Sequence, residues 1–166
     1  MNKVMQVIGR AQQALEAAAF AEEGDCDSAK GLLREHHRVL LALRGLEGDA
    51  RTMTYALNTC RRVGAGLDVL CVADRALSND DLRSKLAPFL ASLAEAGVPY
   101  RTTSAAGCIK EQIVRYTKAH PEVSFVVVES AGVLDRGCGA DDERRLAPLW
   151  KRLACPLVVV SDPARA

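Results

Sequence analysis

The stretch VLLALRGLEGDARTMTYALNTCRRVGAGLDVLCV, residues 39–72, decides the fold. It opens on an apolar run, Val39 to Leu43, and closes on another, Leu67 to Val72, each of strand length. Between them residues 48–63 carry Ala50, Met53, Leu57 and Cys60 at spacings of three and four, which draws one apolar stripe along a helix. Strand, helix, strand is the βαβ unit, and its right-handed crossover makes the two strands parallel.

The alternation continues outward from there. A helix is expected at 79–96, with Leu82, Leu86, Phe89, Leu90 and Leu93 on one face, followed by a run from Tyr100 to Thr103. Ser78 and Asp81 offer an S-x-x-D cap at its start, and Gly97 followed by Pro99 ends it. Further runs at Phe125 to Val128 and Leu157 to Val160 alternate with helices at 108–119 (Ile109, Ile113, Tyr116 inward) and 142–153 (Leu146, Leu149, Trp150, Leu153 inward), the latter bent by Pro148. The fold class is therefore α/β, a five-stranded parallel sheet with helices on both faces and a ligand crevice at the strands' carboxyl ends. The run YRTT is polar and suits the edge of the sheet; FVVV and LVVV are continuously apolar and suit its buried part.

Residues 1–35 stand outside the pattern as an N-terminal helical hairpin, leaving 36–166 as the α/β domain. Val4, Ile8, Ala11, Leu15 and Ala18 stripe the first helix, Gly24 stops it, Asp25 or Asp27 caps the second, and Ala29, Leu32 and Leu33 stripe that one. One such hairpin cannot bury its own apolar face, so it packs on its own sheet or a second subunit, or serves as an arm for a protein partner.

At 166 residues the chain suits one domain with a small extension, burying roughly 70% of its unfolded surface. The 22 basic and 21 acidic residues are interspersed, net charge +1, without the basic stripe that neutralises a nucleic-acid backbone. Nucleic acid is excluded as a partner on that ground. No apolar run reaches the ~20 residues of a membrane span, and Gln, Arg and Glu interrupt the N-terminus where a signal peptide is apolar; a cytoplasmic protein is expected.

Nothing points to catalysis or a metal. The six cysteines (26, 60, 71, 108, 138, 155) include no C-x-x-C pair for zinc, and most are expected as core fillers, with Cys138 in a glycine-flanked loop as the candidate exposed thiol. His36 and His37 sit at a helix-to-strand junction and His120 at a helix end, where they cap carbonyls or face solvent. Asp141, Asp142 and Glu143 read as the acidic first turn of a helix.

Taken together, VLLALRG, LDVLCVAD, the Gly107 that opens a helix containing Ile113, FVVVES and the closing CPLVVV resemble the universal stress protein family over residues 38–162. The resemblance implies the strand order 3-2-1-4-5 and a homodimer, often formed in the family through the last strand, which places Leu157, Val158, Val159 and Val160 at the interface; the alternative is that the hairpin covers that edge and the chain stays monomeric or dimerises elsewhere. A symmetric partner would cover the unpaired backbone groups of such an edge.

Some members of that family bind ATP through an Asp after the first strand and a glycine-rich loop, G-x2-G-x9-G-[S/T], after the fourth. In this chain the Asp falls on Arg44, followed by Gly45; the first glycine falls on Glu129; only the second is kept, as Gly132; and the final G-[S/T] falls within Asp142 to Arg144. Glu129 beside a triphosphate sets like charges together at about 1–4 kcal/mol per pair. ATP is therefore not expected as a cofactor. The implied pocket comprises Ala42, Arg44, Gly45, Val72, Glu129, Gly132 and Arg136, and Arg44 and Glu129 are expected to pair across adjacent strand ends and close it. The chain then reads as a non-enzymatic stress-response or regulatory homodimer with a degenerate nucleotide pocket. The alternative is an adenine-nucleotide or small-anion sensor using Arg44 and loop 130–140.

Overall fold

The apolar runs at 39–43 and 67–72 become strands buried on both faces, whereas LVVV, expected in the buried part of the sheet, forms one of its edges with Val158, Val159 and Val160 only half-buried. The computed structural model describes residues 37–46, 48–135, 149 and 151–160. Their order is β1 (Arg38–Arg44), α1 (Ala50–Val63), β2 (Gly66–Ala73), α2 (Asn79–Glu95), β3 (Tyr100–Ala106), α3 (Ile109–Ala119), β4 (Val123–Val128), α4 (Ala131–Asp135) and β5 (Leu157–Val159). The expected hairpin at 1–35, together with Pro148, Trp150, Arg136, Cys138 and Asp141 to Glu143, lies outside the described residues.

All strand pairs are parallel, and the sheet order is β3-β2-β1-β4-β5. The polar strand β3 is an edge strand, as its threonines and arginine imply. Alternation along β1 and β2 sorts the core into two halves. Val39, Leu41, Leu43, Leu67, Val69 and Cys71 face α1 and α2, where Ala56, Cys60, Leu82, Leu86 and Leu93 meet them. Leu40, Ala42, Leu70 and Val72 face the other way, toward Ile109, Ile113, Leu134 and Leu149. Shifting either strand by one residue would exchange these sets, which pins the register.

Local signals fix where the helices stop. Asp49 accepts from the Thr52 amide at 3.1 Å at the start of α1, and Ser78 accepts from the Asp81 amide at 3.1 Å at the start of α2. Gly97, at φ +65°, ends α2 with the Val98 amide donating to Leu93 and the Gly97 amide to Ala94. That is the left-handed turn glycine adopts without strain, and the buried pair Leu93 and Val98 closes it. Pro88 lies inside α2 on its exposed side, where the Ser84 carbonyl it leaves unpaired can face water.

Two boundaries differ from the sequence reading. Strand β3 runs on through Ser104, Ala105 and Ala106, small residues without strand propensity that are held by pairing with Cys71, Val72 and Ala73. A five-residue helix, α4, follows β4 where a loop was expected; Val133 and Leu134 bury its inner side.

Candidate functional site

The chain leaves β1 toward β2 on one side, and β4 lies on the other. The topological switch point therefore falls between β1 and β4, at their carboxyl ends. Ala42 and Val72 are fully buried beneath this end and belong to the core, not to a pocket lining. Gly45, at φ +75°, turns the chain away from β1 while its amide donates to the Val72 carbonyl at 2.8 Å.

Arg44 does not pair with Glu129. Its Nη1 donates to the Gly107 carbonyl oxygen at 2.7 Å, and its Nη2 donates to the Asp74 carboxylate. Register explains the correction. Ala42 is the β1 residue opposite Val128, so Glu129 follows level with Leu43 and on the opposite face of the sheet from Arg44, whereas Arg44 lies opposite Val72 and Asp74 comes two residues later on that same face. Gly107, at φ +102°, closes β3 with its amide on Ala73. Arg44 thereby ties together the ends of β1 and β2 and the junction between β3 and α3.

Glu129 is half-buried just after β4 and makes no ion pair among the described residues. Gly132 is exposed within α4, and a Cβ there would meet only the Ser130 hydroxyl at 3.9 Å. The retained glycine is thus not required by any close approach of the described chain. Cys108 caps α3 without a side-chain hydrogen bond and is disulfide-bonded, whereas Cys60, Cys71 and Cys155 carry free thiols. Gln112, one turn into α3, donates to the Ala106 carbonyl at 2.8 Å.

The sequence reading missed Asp74 and the Gly107 carbonyl as partners of Arg44. A signal existed for Asp74: it ends LDVLCVAD, on the strand whose carboxyl end lies beside that of VLLALR.

A second polar cluster sits at the opposite end of the sheet. Arg38 Nε donates to Asp68 Oδ1 at 2.6 Å and Nη2 to the Leu67 carbonyl at 3.0 Å, with both side chains buried. Burial, and next the neighbouring Asp68 charge, push the Tyr116 hydroxyl up to about 12. Tyr116 stacks on His120 with ring centres 4.2 Å apart, and His120 Nδ1 lies 3.1 Å from Glu122 Oε1, which also accepts from Arg101 at 3.3 Å. Burial tends to raise the Glu122 carboxyl, but its own amide, His120 and Arg101 outweigh that and hold it below its ordinary value. His37 is exposed, with Nδ1 3.3 Å from the Ser124 hydroxyl. Nearby, Cys60, Arg61, Ala65, Ala96, Gly97 and Val98 line a pocket of about 260 Å³ between the C-terminal ends of α1 and α2, away from the crevice.

Among the described residues no group of three or more His, Cys, Asp or Glu side chains is placed to hold a metal. No helix among them is long and apolar enough to cross a membrane.

The order β3-β2-β1-β4-β5 and the crevice beside β1 define the class, a parallel α/β domain with one switch point. The chain has the universal stress protein fold. A universal stress protein family member from Burkholderia pseudomallei is similar at 18% identity with a TM-score of 0.53, over 77% of this chain and 96% of that one. A universal stress protein family protein from Arabidopsis thaliana with AMP bound is similar at 21% identity and TM-score 0.51, over 78% and 93% of the two chains. A universal stress protein from Archaeoglobus fulgidus is similar at 12% identity and TM-score 0.50, over 74% and 92%. No protein-family model matches the sequence. No curated protein matches it either.

Proposed function

We propose that this protein acts by binding and not by catalysis, as a cytoplasmic stress-response or regulatory homodimer whose nucleotide crevice is closed. One observation carries the reading. Arg44, the residue on which the family resemblance places the Asp of ATP-binding members, spends its guanidinium on Gly107 and Asp74. Its side chain is only 18% exposed, so a ligand entering beside β1 would first have to displace it. Glu129 adds a half-buried negative charge where phosphate oxygens would lie.

The dimer reading rests on β5. Val126 donates its amide to Pro156 and Val160 donates to Val128, so alternate β5 residues face β4. The backbone groups of Leu157 and Val159 then point to the open edge, where a second copy would satisfy them.

A second reading has its own observation. The Asp74 side chain is 94% exposed, so its hold on Arg44 is screened by water, and an anion could compete for the guanidinium. The AMP-bound plant protein gives that reading its ligand class, an adenine nucleotide. Native mass spectrometry of the full chain, alone and with excess Mg-ATP or AMP, separates the two. A ligand-free dimer without adducts supports the closed crevice; a stoichiometric nucleotide adduct overturns it in favour of a sensor.

A further inference from the structure

We propose that Cys108 is a redox-regulated residue of the crevice: its disulfide steadies the junction between β3 and α3 on which Arg44 closes, and reduction of that bond loosens the clasp. This regulation rests on the closed-crevice reading and names what would control it.

The junction has few other restraints. Gly107 supplies the carbonyl oxygen that Arg44 Nη1 reaches at 2.7 Å, and Cys108 is the next residue. Ala106 and Gly107 are both exposed, so packing does little to hold them. At this end of the ladder their ties are single hydrogen bonds, from the Gly107 amide to Ala73 at 2.9 Å and from the Gln112 side chain to the Ala106 carbonyl at 2.8 Å. The disulfide of Cys108 adds a covalent restraint at the adjacent residue. A disulfide keeps its two Cα atoms within about 7 Å of each other, so an oxidised Cys108 limits how far Gly107 can drift from Arg44.

The bond also has the setting of one that is made and broken. Cys60, Cys71 and Cys155 carry free thiols, so Cys108 alone is oxidised among the described cysteines. It is half-buried where Cys60 and Cys71 are buried, which leaves a thiol reductant a way in. Cys108 is the N-cap of α3, with extended backbone and no side-chain hydrogen bond competing for its sulfur. A reduced sulfur at the positive end of a helix is favoured as the thiolate, the form that attacks a disulfide and so restores the bond. In a cytoplasmic protein a disulfide is more often a sensor than a staple, because that compartment keeps thiols reduced. The step is thiol–disulfide exchange with a glutathione-class thiol. The S–S bond breaks, two electrons and two protons pass to the protein's sulfurs, and two reductant molecules leave joined as their own disulfide.

Thiol trapping and amide exchange on the full chain test this together. The protein is equilibrated in glutathione buffers from mostly oxidised to mostly reduced, blocked with N-ethylmaleimide and mapped by peptide. Cys108 should pass from disulfide to blocked thiol across that range. NMR hydrogen exchange then compares the Gly107 amide, which bonds Ala73 beside the clasp, with the Ala65 amide, which bonds Cys60 at the other end of the sheet. Reduction should speed exchange at Gly107 by about tenfold and leave Ala65 unchanged. Cys108→Ser should match the reduced protein in every buffer, and the parent protein gives the same answer by itself should that variant fail to fold. A bond that persists in mostly reduced glutathione would overturn the proposal. So would a reduced protein with unchanged exchange at Gly107, or one in which Ala65 accelerates equally, since the bond would then hold the whole fold. An AMP adduct on the oxidised protein, read by native mass spectrometry, would defeat the closed-crevice reading and this inference with it, whereas the Gly107 outcomes defeat the inference alone.

Discussion

The Arg44 guanidinium donates to the Gly107 carbonyl oxygen at 2.7 Å, and this bond turns the charge at the end of β1 toward β3 and away from β4. The ends of β1 and β2 and the junction after β3 are held together by this one side chain.

The first prediction concerns that clasp. Removing the guanidinium with Arg44→Ala deletes a charge-assisted bond to a backbone carbonyl, worth about 1.5–3 kcal/mol where partly shielded. Asp74→Ala removes only a water-screened partner, at about 0–1 kcal/mol. Urea unfolding of both variants should show the larger loss for Arg44→Ala. Equal losses would mean that the ion pair, and not the bond to Gly107, holds the clasp.

The buried pair at the other end of the sheet should behave differently. Arg38 and Asp68 are both almost fully buried, and Asp68 Oδ2 makes no hydrogen bond. Asp68→Leu alone leaves Arg38 charged and unpaired, at a cost of about 3–5 kcal/mol. The double variant Arg38→Met, Asp68→Leu removes both charges and should recover most of that loss. A double-mutant cycle in urea measures the difference; a double variant as unstable as the single one would show that packing, not charge, is at stake.

How far the sequence carried the fold, and where it stopped, follows from what each signal encodes. Runs such as VLLAL and VLCV announce buried parallel strands because both of their faces are covered, and Ser78 to Asp81 announces a helix start because its groups bond each other. The partner of Arg44 was not legible in this way. A side chain at a strand end chooses among acceptors on two flanks, and that choice depends on the register and on which face of the sheet each acceptor leaves, which only coordinates supply. Strand β3 overran its expected end for a related reason, since Ser104 to Ala106 are held by their neighbour and not by their own propensity.

Glu122 supplies a pH prediction. Its folded carboxyl titrates below the ordinary 4.5, held there by its own amide, His120 and Arg101 against the effect of burial. A depressed carboxyl contributes stability that is complete above the unfolded value and is lost as pH falls through the folded one. Glu122→Gln should therefore lower stability at pH 7 and narrow its gap to the parent protein below pH 4.5. Urea midpoints across pH 3–7 provide the check, and parallel curves for the two proteins would contradict it.

Thiol chemistry gives a fourth test. Burial pushes the Cys60 thiol up to about 12 and Cys71 up to about 11. At pH 8 the thiolate fraction of Cys60 is then about one in ten thousand, and the sulfur is enclosed besides. Both cysteines should resist maleimide in the native protein and react on unfolding, as peptide mapping would show. Prompt native labelling of Cys60 would mean that the ends of α1 and α2 open readily.

The last prediction addresses the edge at β5. Residues Pro156 and Val160 engage β4 through their backbone, so in a parallel ladder Val158 does also, while Val159 directs its N–H outward. Val159→Pro therefore removes a donor from the open edge without cutting a bond to β4, and proline is tolerated at such positions. Val158→Pro instead removes a ladder donor inside the sheet. If a second copy pairs along β5, light scattering should find Val159→Pro monomeric with a Tm near that of the parent, whereas Val158→Pro should lose stability as well. A Val159→Pro protein that stays dimeric would show that the Val159 amide does not hold the interface.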